Sequence, residues 1–309
     1  MRPDWIDKLK LPVIAAPMFL ASGPELVIAA CKAGVVGTFP AANARTSEQL
    51  DEWFDTIEAA LADDPNAAPF GVNLVLMRRE GADALLEVCL RRHPPIVISS
   101  IGDPRALAEK VHGWGGVIFH DITTVRHAEK AAEAGVDGII LVCAGSGGHS
   151  GAVNPFALAP QVRARFKGLI VLGGAISDGR GILAAKALGA DLVYMGTRFL
   201  ATAESRASDD YKAMIVEAET KDILYTPAIS GLPASFIRQS IEAAGLDPQN
   251  LPPPKGLHMP DLPEGVAAWR DIWSAGHGAG LITDAPPVGE LVRRLTSEYA
   301  AAKVEFLAA

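Results

Sequence analysis

At 309 residues, 49% of them apolar and 21% charged, the chain can bury one large α/β core or two smaller ones and has an ordinary globular composition. A net charge of −8 and a pI near 5.4 argue against a nucleic-acid backbone as partner. Cys31, Cys89 and Cys143 are widely spaced, forming neither a disulfide framework nor a metal pattern, which points to a reducing compartment.

Residues 1–10 are too charged for a signal peptide, and no apolar run approaches the roughly 18 residues of a membrane span. A cytoplasmic location is expected, with no membrane partner. Short β-branched runs then alternate with alanine-rich helical patterns. Strands are predicted over 12–16, 35–39, 70–74, 96–99, 116–120, 137–142, 169–172 and 192–195. The helices between them are predicted over 24–33, 47–62, 82–92, 104–112, 124–134, from about 155, and over 178–188. The strands are apolar throughout rather than alternating, as in a parallel sheet covered on both faces.

Beyond residue 203 the pattern changes. Residues 203–226 read as helical, 229–232 as a short apolar run, 236–244 as another helix and 248–263 as a proline-rich loop. A last amphipathic helix, 288–303, can supply the eighth barrel helix. The predicted fold is therefore a (β/α)8 TIM barrel, built from 1–203 and completed by 286–309, with 204–285 inserted after strand eight as a mostly helical lid. A doubly wound sheet is the alternative, but no glycine fingerprint follows the first strand.

In a barrel every strand–helix loop faces one mouth. The polar and glycine-rich residues after the strands then form one candidate site: Ala16-Pro17-Met18, Asn73, Ser100, His120-Asp121, the loop Val142 to Gly151, Gly173-Gly174 and Met195-Gly196-Thr197-Arg198. Glycine turns after the last two strands offer backbone N–H groups to a phosphate. His149, set among Gly145, Gly147, Gly148 and Gly151, is a candidate proton carrier, because imidazole titrates near neutral pH. His120 and Asp121 read equally as a functional pair or as partners capping the next helix. Arg198 reads as a phosphate contact or a rim salt bridge, His277 as a residue that closes over the site beside Trp273, and Asp63-Asp64 and Arg78-Arg79 as solvated surface. No metal-ligand pattern is present.

These motifs resemble the nitronate monooxygenase (2-nitropropane dioxygenase-like) family. They are Ala16-Pro17-Met18, Gly71-Val72-Asn73-Leu74, Thr124-Val125-Arg126-His127-Ala128, Gly147-Gly148-His149-Ser150-Gly151, Gly173-Gly174, Met195-Gly196-Thr197-Arg198-Phe199 and Trp273-Ser274-Ala275-Gly276-His277-Gly278. The resemblance implies an FMN-dependent barrel oxidoreductase. Ala16, Pro17, Met18, Asn73, Ser100, Asp121, Ala144, Gly147, Gly148, Gly173, Gly174, Met195, Gly196 and Thr197 would contact FMN, and His149 would reach the substrate. It implies that alkyl nitronates are oxidised by O2 to a carbonyl compound and nitrite, and it makes a homodimer an expectation.

The chain departs from that pattern where many relatives carry Gln and Glu, here Val142 and Gly145, and where some carry lysine, here Asp121. Two rival readings stand beside the first. One is an NAD(P)H-dependent FMN reductase of quinones or enoyl thioesters, and the other is a non-catalytic barrel that binds a phosphate ligand.

Overall fold

Residues 2–77, 81–256 and 260–308 are described by a computed structural model, so Arg78-Arg79 lies outside the described residues. All eight apolar runs form strands. They are β1 (Val13–Ala15), β2 (Val36–Pro40), β3 (Phe70–Val75), β4 (Ile96–Ser100), β5 (Val117–Ile122) and β6 (Gly138–Val142). After a short strand β7 (Gly148–His149), which stays outside the barrel, come β8 (Leu169–Gly173) and β9 (Leu192–Met195). The eight barrel strands pair in parallel, and Val13, Ile14 and Ala15 meet Val193, Tyr194 and Met195 to close the ring. The chain is thus a (β/α)8 barrel, and closure excludes the doubly wound sheet.

Both faces of each strand are buried, which is why the runs read as continuously apolar. Ile14, Val36, Ile98, Phe119, Ile140, Val171 and Leu192 fill the interior. Their alternates, including Val13, Val72, Val97, Ile139 and Val193, pack beneath the helices. Gly138 makes room inside the ring, since a Cβ there would lie 2.3 Å from the Phe119 ring. The three cysteines are free and buried, and burial pushes each thiol up to about 12, so they act as small apolar side chains.

The outer helices are α1 (Pro24–Lys32), α2 (Ser47–Leu61), α3 (Ala82–Arg92), α4 (Arg105–Gly113), α5 (Val125–Glu133), α6 (Pro155–Arg163) and α7 (Gly179–Ala187). Their starts follow from side-chain caps. Thr46, Thr124, Asn154 and Asp178 each accept a first-turn backbone N–H. On α2 the buried Leu50, Trp53, Phe54 and Ile57 recur at helical spacing and form the core face.

After β9 come α8 (Thr197–Leu200), α9 (Asp209–Glu217), β10 (Ile223–Thr226), β11 (Ala234–Ile237), α10 (Arg238–Ala243) and α11 (Val288–Ala308). The segment read as mostly helical is therefore mixed. The expected helix over 203–226 is only α9 and a 3-10 turn, followed by a strand, and Phe236 belongs to β11 rather than to a helix. The cause is tertiary: β10 pairs with β11, and β11 pairs with β7 of the glycine loop, in one antiparallel sheet. Ile229, Ala234, Phe236, Ile241 and Ile272 give the insertion its own small core.

The last helix runs to Ala308, beyond the expected end, and packs on α1 and α7. Gly179 permits that contact. A Cβ there would lie 2.2 Å from the Tyr299 nitrogen and 2.4 Å from the Glu298 carbonyl carbon, while Gly179 N–H donates to Glu298 Oε2 at 2.9 Å. Gly179→Ala should push α11 away and cost about 1–3 kcal/mol. Thermal unfolding checks this against Gly113→Ala, where a Cβ meets nothing within 4 Å and little change is expected.

Candidate active site

A cavity of about 1200 Å³ opens at the C-terminal ends of the strands. One pleat above the apolar interior, the same inward lane turns polar. Asn73 stands beside Ile98, Ser100 lies two residues beyond it, Asp121 two beyond Phe119, and Tyr194 two beyond Leu192. All four line the cavity, as do Ala16, Pro17 and Met18 after β1.

Three of these residues form a directed chain. Asn73 Nδ2 donates to Ser100 Oγ at 2.7 Å and to the Ile98 carbonyl at 3.2 Å, so both amide hydrogens are committed and Oδ1 is left to accept. Ser100 Oγ donates to Asp121 Oδ2 at 2.6 Å. Asp121 Oδ1 is buried and has no partner among the described residues. Burial pushes the Asp121 carboxyl up to about 7, against the downward pull of the Ser100 hydroxyl.

His120 and Asp121 neither pair with each other nor cap α5, a role Thr124 takes. Successive residues of a strand face opposite ways. The Ser99 hydroxyl gives its proton to the Phe119 carbonyl, so its oxygen accepts from His120 Nδ1 at 2.8 Å. Burial lowers the His120 pKa to about 4, which keeps the ring neutral.

The glycine loop is held from above by the insertion. Gly148 and His149 pair with Ser235 and Ala234 of β11. The amides of His277 and Ala175 both donate to Gly145 O, and Gly276 N–H donates to Thr197 Oγ1 at 2.9 Å. A Cβ on Gly276 would lie 2.4 Å from Gly145 O and 2.8 Å from Gly147 N, so only glycine passes there. His149 Nε2 lies 3.1 Å from Ser230 Oγ. The Ser230 proton goes to the Leu232 carbonyl, so Ser230 accepts from the imidazole N–H. Trp269 meets the His149 ring edge-on at 4.9 Å.

The turn after β8 passes through Gly174 at φ 139° and Ala175 at φ 55°. A Cβ on Gly174 would lie 2.9 Å from the Ala144 carbonyl and 3.6 Å from Ser146 Oγ. That Ser146 hydroxyl is buried and unpartnered among the described residues, and Ser146 lines the cavity with Gly173, Gly174, Gly196 and Thr197.

Of the residues expected at the site, Ala144 and Met195 are absent from this lining. Met195 points outward into the helix-facing core, and Ala144 backs the Gly174 turn through its carbonyl. Arg198 does not face the cavity either. It is buried and bonded to the Ala201 and Asp284 carbonyls and to the Asp284 carboxylate, which Arg294 also holds. His277 is absent from the cavity lining and donates its backbone N–H to Gly145 O, and Trp273 stacks on Tyr211 at 4.9 Å. Ser146 belongs to the expected glycine loop, whereas Tyr194, Ser230 and Trp269 are not among the expected site residues. Tyr194 was recoverable from period-two spacing after Leu192, whereas nothing local ties Ser230 or Trp269 to His149. Among the described residues no helix is long and apolar enough to cross a membrane.

A family model described as nitronate monooxygenase matches residues 83–298. The chain is 30% identical over 226 residues to an octahydro-indene-carboxyl-CoA dehydrogenase of Rhodococcus jostii, covering 72% of this chain but 61% of that protein, so it spans about three-fifths of that relative's length. It is 29% identical to a nitronate monooxygenase of Paraburkholderia phytofirmans, covering 95% of this chain and 92% of the relative. The solved structure of FabK from Thermotoga maritima superposes with a TM-score of 0.80 at 27% identity, over 100% of this chain and 99% of that one.

Proposed function

The chain belongs to the nitronate monooxygenase family of flavin-dependent oxidoreductases, and from that premise we propose that it uses FMN to oxidise alkyl nitronates with O2, giving a carbonyl compound and nitrite. One observation carries this reading: His149 stands in the same cavity as Ala16-Pro17-Met18, Asn73 and the two glycine turns. The residues fit the cofactor. The orphaned Ser146 hydroxyl, the Gly174 turn that a Cβ would obstruct, and the Thr197 hydroxyl, which accepts from Gly276 and keeps its own proton to donate, suit a phosphate. Ala16, Pro17 and Met18 offer a small apolar face for a flat ring. The Asn73 carbonyl and the Asp121 oxygen left unpartnered among the described residues would hold the ring's polar edge.

When bound, FMN supplies the electron transfer and the oxygen chemistry. The protein's own residues position and protect it. His149, held by Ser230 and wedged against Trp269, either donates a hydrogen bond to the anionic nitronate as an imidazolium or, as the neutral ring, removes the α-proton of a neutral nitroalkane. The insertion, through Tyr225, Leu232, Pro233 and Trp269, roofs the pocket and excludes water.

One observation favours a second reading. The 1200 Å³ cavity exceeds the about 300–1,000 Å³ of a pocket for one drug-sized ligand, which suits a long acceptor such as an enoyl thioester reduced with NAD(P)H. A screen of nitronates, quinones and enoyl thioesters, with the flavin spectrum followed, separates the two. Nitrite release from nitronates with no anaerobic bleaching by NADH or NADPH supports the oxidase. Fast bleaching followed by reoxidation with a thioester rejects it. A colourless protein that stays colourless with added FMN rejects both.

A further inference from the structure

We propose that Asp121 works as a neutral carboxylic acid whose Oδ1–H is the hydrogen-bond donor that the pocket turns toward the bound flavin, an inference that rests on the flavin reading above. The direction of the side-chain network carries it. Asn73 can only donate through Nδ2, and it does so to Ser100 Oγ at 2.7 Å. Ser100 has one hydroxyl proton and gives it to Asp121 Oδ2 at 2.6 Å. Oδ2 is therefore an acceptor, and Asp121 Oδ1 is left buried and without a partner among the described residues.

Arg105, His127 and Lys130 line the same cavity, but among the described residues no cation pairs with Asp121. From β4 Asp121 meets Ser100, and its register partner on β6 is the apolar Ile140. The next inward positions on β6 and β9 are Val142 and Tyr194, and the Tyr194 phenol is itself pushed up by burial and by the Asp121 charge. His120 also lines the cavity but bonds Ser99 and stays neutral. No ion pair to Asp121 exists among the described residues.

An ionised carboxylate with one hydrogen bond and no cation is a costly thing to bury, and the group relieves that cost by keeping its proton. Burial alone already pushes the carboxyl up to about 7, and a flat ligand covering the mouth displaces water and favours the neutral form further. The acid then has one O–H donor, and with Oδ2 occupied that donor sits on Oδ1. The sign follows. The proton is held below about pH 7 and lost above it, so flavin binding weakens as pH rises through 7.

The test titrates FMN into the apoprotein by flavin fluorescence from about pH 6 to about pH 9 and records the infrared carboxyl band of the same apoprotein. For the wild type, the FMN dissociation constant should rise about tenfold per pH unit above about 7. Asp121→Asn keeps a neutral donor and should bind FMN with pH-flat affinity. Asp121→Ala should bind about tenfold more weakly at low pH, through loss of the donor. A protonated carboxyl C=O band should be present near pH 6 in the wild type and missing from Asp121→Asn. A missing band, or tighter FMN binding by Asp121→Asn at every pH, overturns the proposal, because the native residue would then carry a negative charge. A band with no FMN binding at all overturns the flavin reading instead, and with it the donor's target.

Discussion

His149→Ala is expected to lower kcat/KM toward a neutral nitroalkane by about 10²–10⁴-fold, the usual contribution of a positioned general base. A preformed nitronate should lose far less, because it arrives without the α-proton and loses only a hydrogen bond. His149→Gln sharpens the comparison, since its amide still donates but cannot act as a base. The glutamine variant should keep most nitronate turnover and lose that of the nitroalkane. The ring is placed for such a role by three constraints: the β7–β11 pairing, the 3.1 Å contact to Ser230 and the edge of Trp269 at 4.9 Å. Equal losses on both substrates would falsify the base and leave His149 a binding donor. Flavin content, measured by absorbance, must stay at the wild-type level for the result to count.

Gly174→Val is expected to yield protein with little or no flavin. The residue sits at φ 139°, a conformation that a β-branched residue avoids, and its Cβ would lie 2.9 Å from the Ala144 carbonyl and 3.3 Å from Cys143 Cβ. Overpacking of about 1–3 kcal/mol at the turn proposed to hold the phosphate converts to about a 5- to 150-fold weaker FMN affinity. Gly189→Val is the control for strain alone. It also has positive φ, but its nearest neighbour is the flexible Arg163 side chain at 3.4 Å. Comparable unfolding temperatures with flavin lost in Gly174→Val alone would support the assignment. Retention of FMN by the Gly174 variant would move the phosphate elsewhere.

The barrel was legible because its signal is local and repeated. Each strand is buried on both faces, so it must be apolar along its length, and each helix carries one apolar face and a capping residue such as Thr46 or Asp178. Even the eighth helix, far along the chain at Val288–Ala308, announced itself by its amphipathic spacing. Gly174 after β8 was equally readable, since a backbone at φ 139° leaves few other choices.

The insertion was read less well. Ile223–Thr226 and Ala234–Ile237 are strands because they pair with each other and the second also with the glycine loop, and no spacing within either run foretells a partner so distant in sequence. The same holds for Arg198, which a motif places beside a phosphate and the fold turns away to Asp284. By itself the sequence determined the barrel, its mouth and the histidine loop, because helical and strand periodicities and glycine backbone freedom are properties of neighbouring residues. Only the tertiary structure decided what surrounds His149 and which oxygen of Asp121 is left without a partner among the described residues. Those depend on hydrogen bonds between side chains that folding alone brings together.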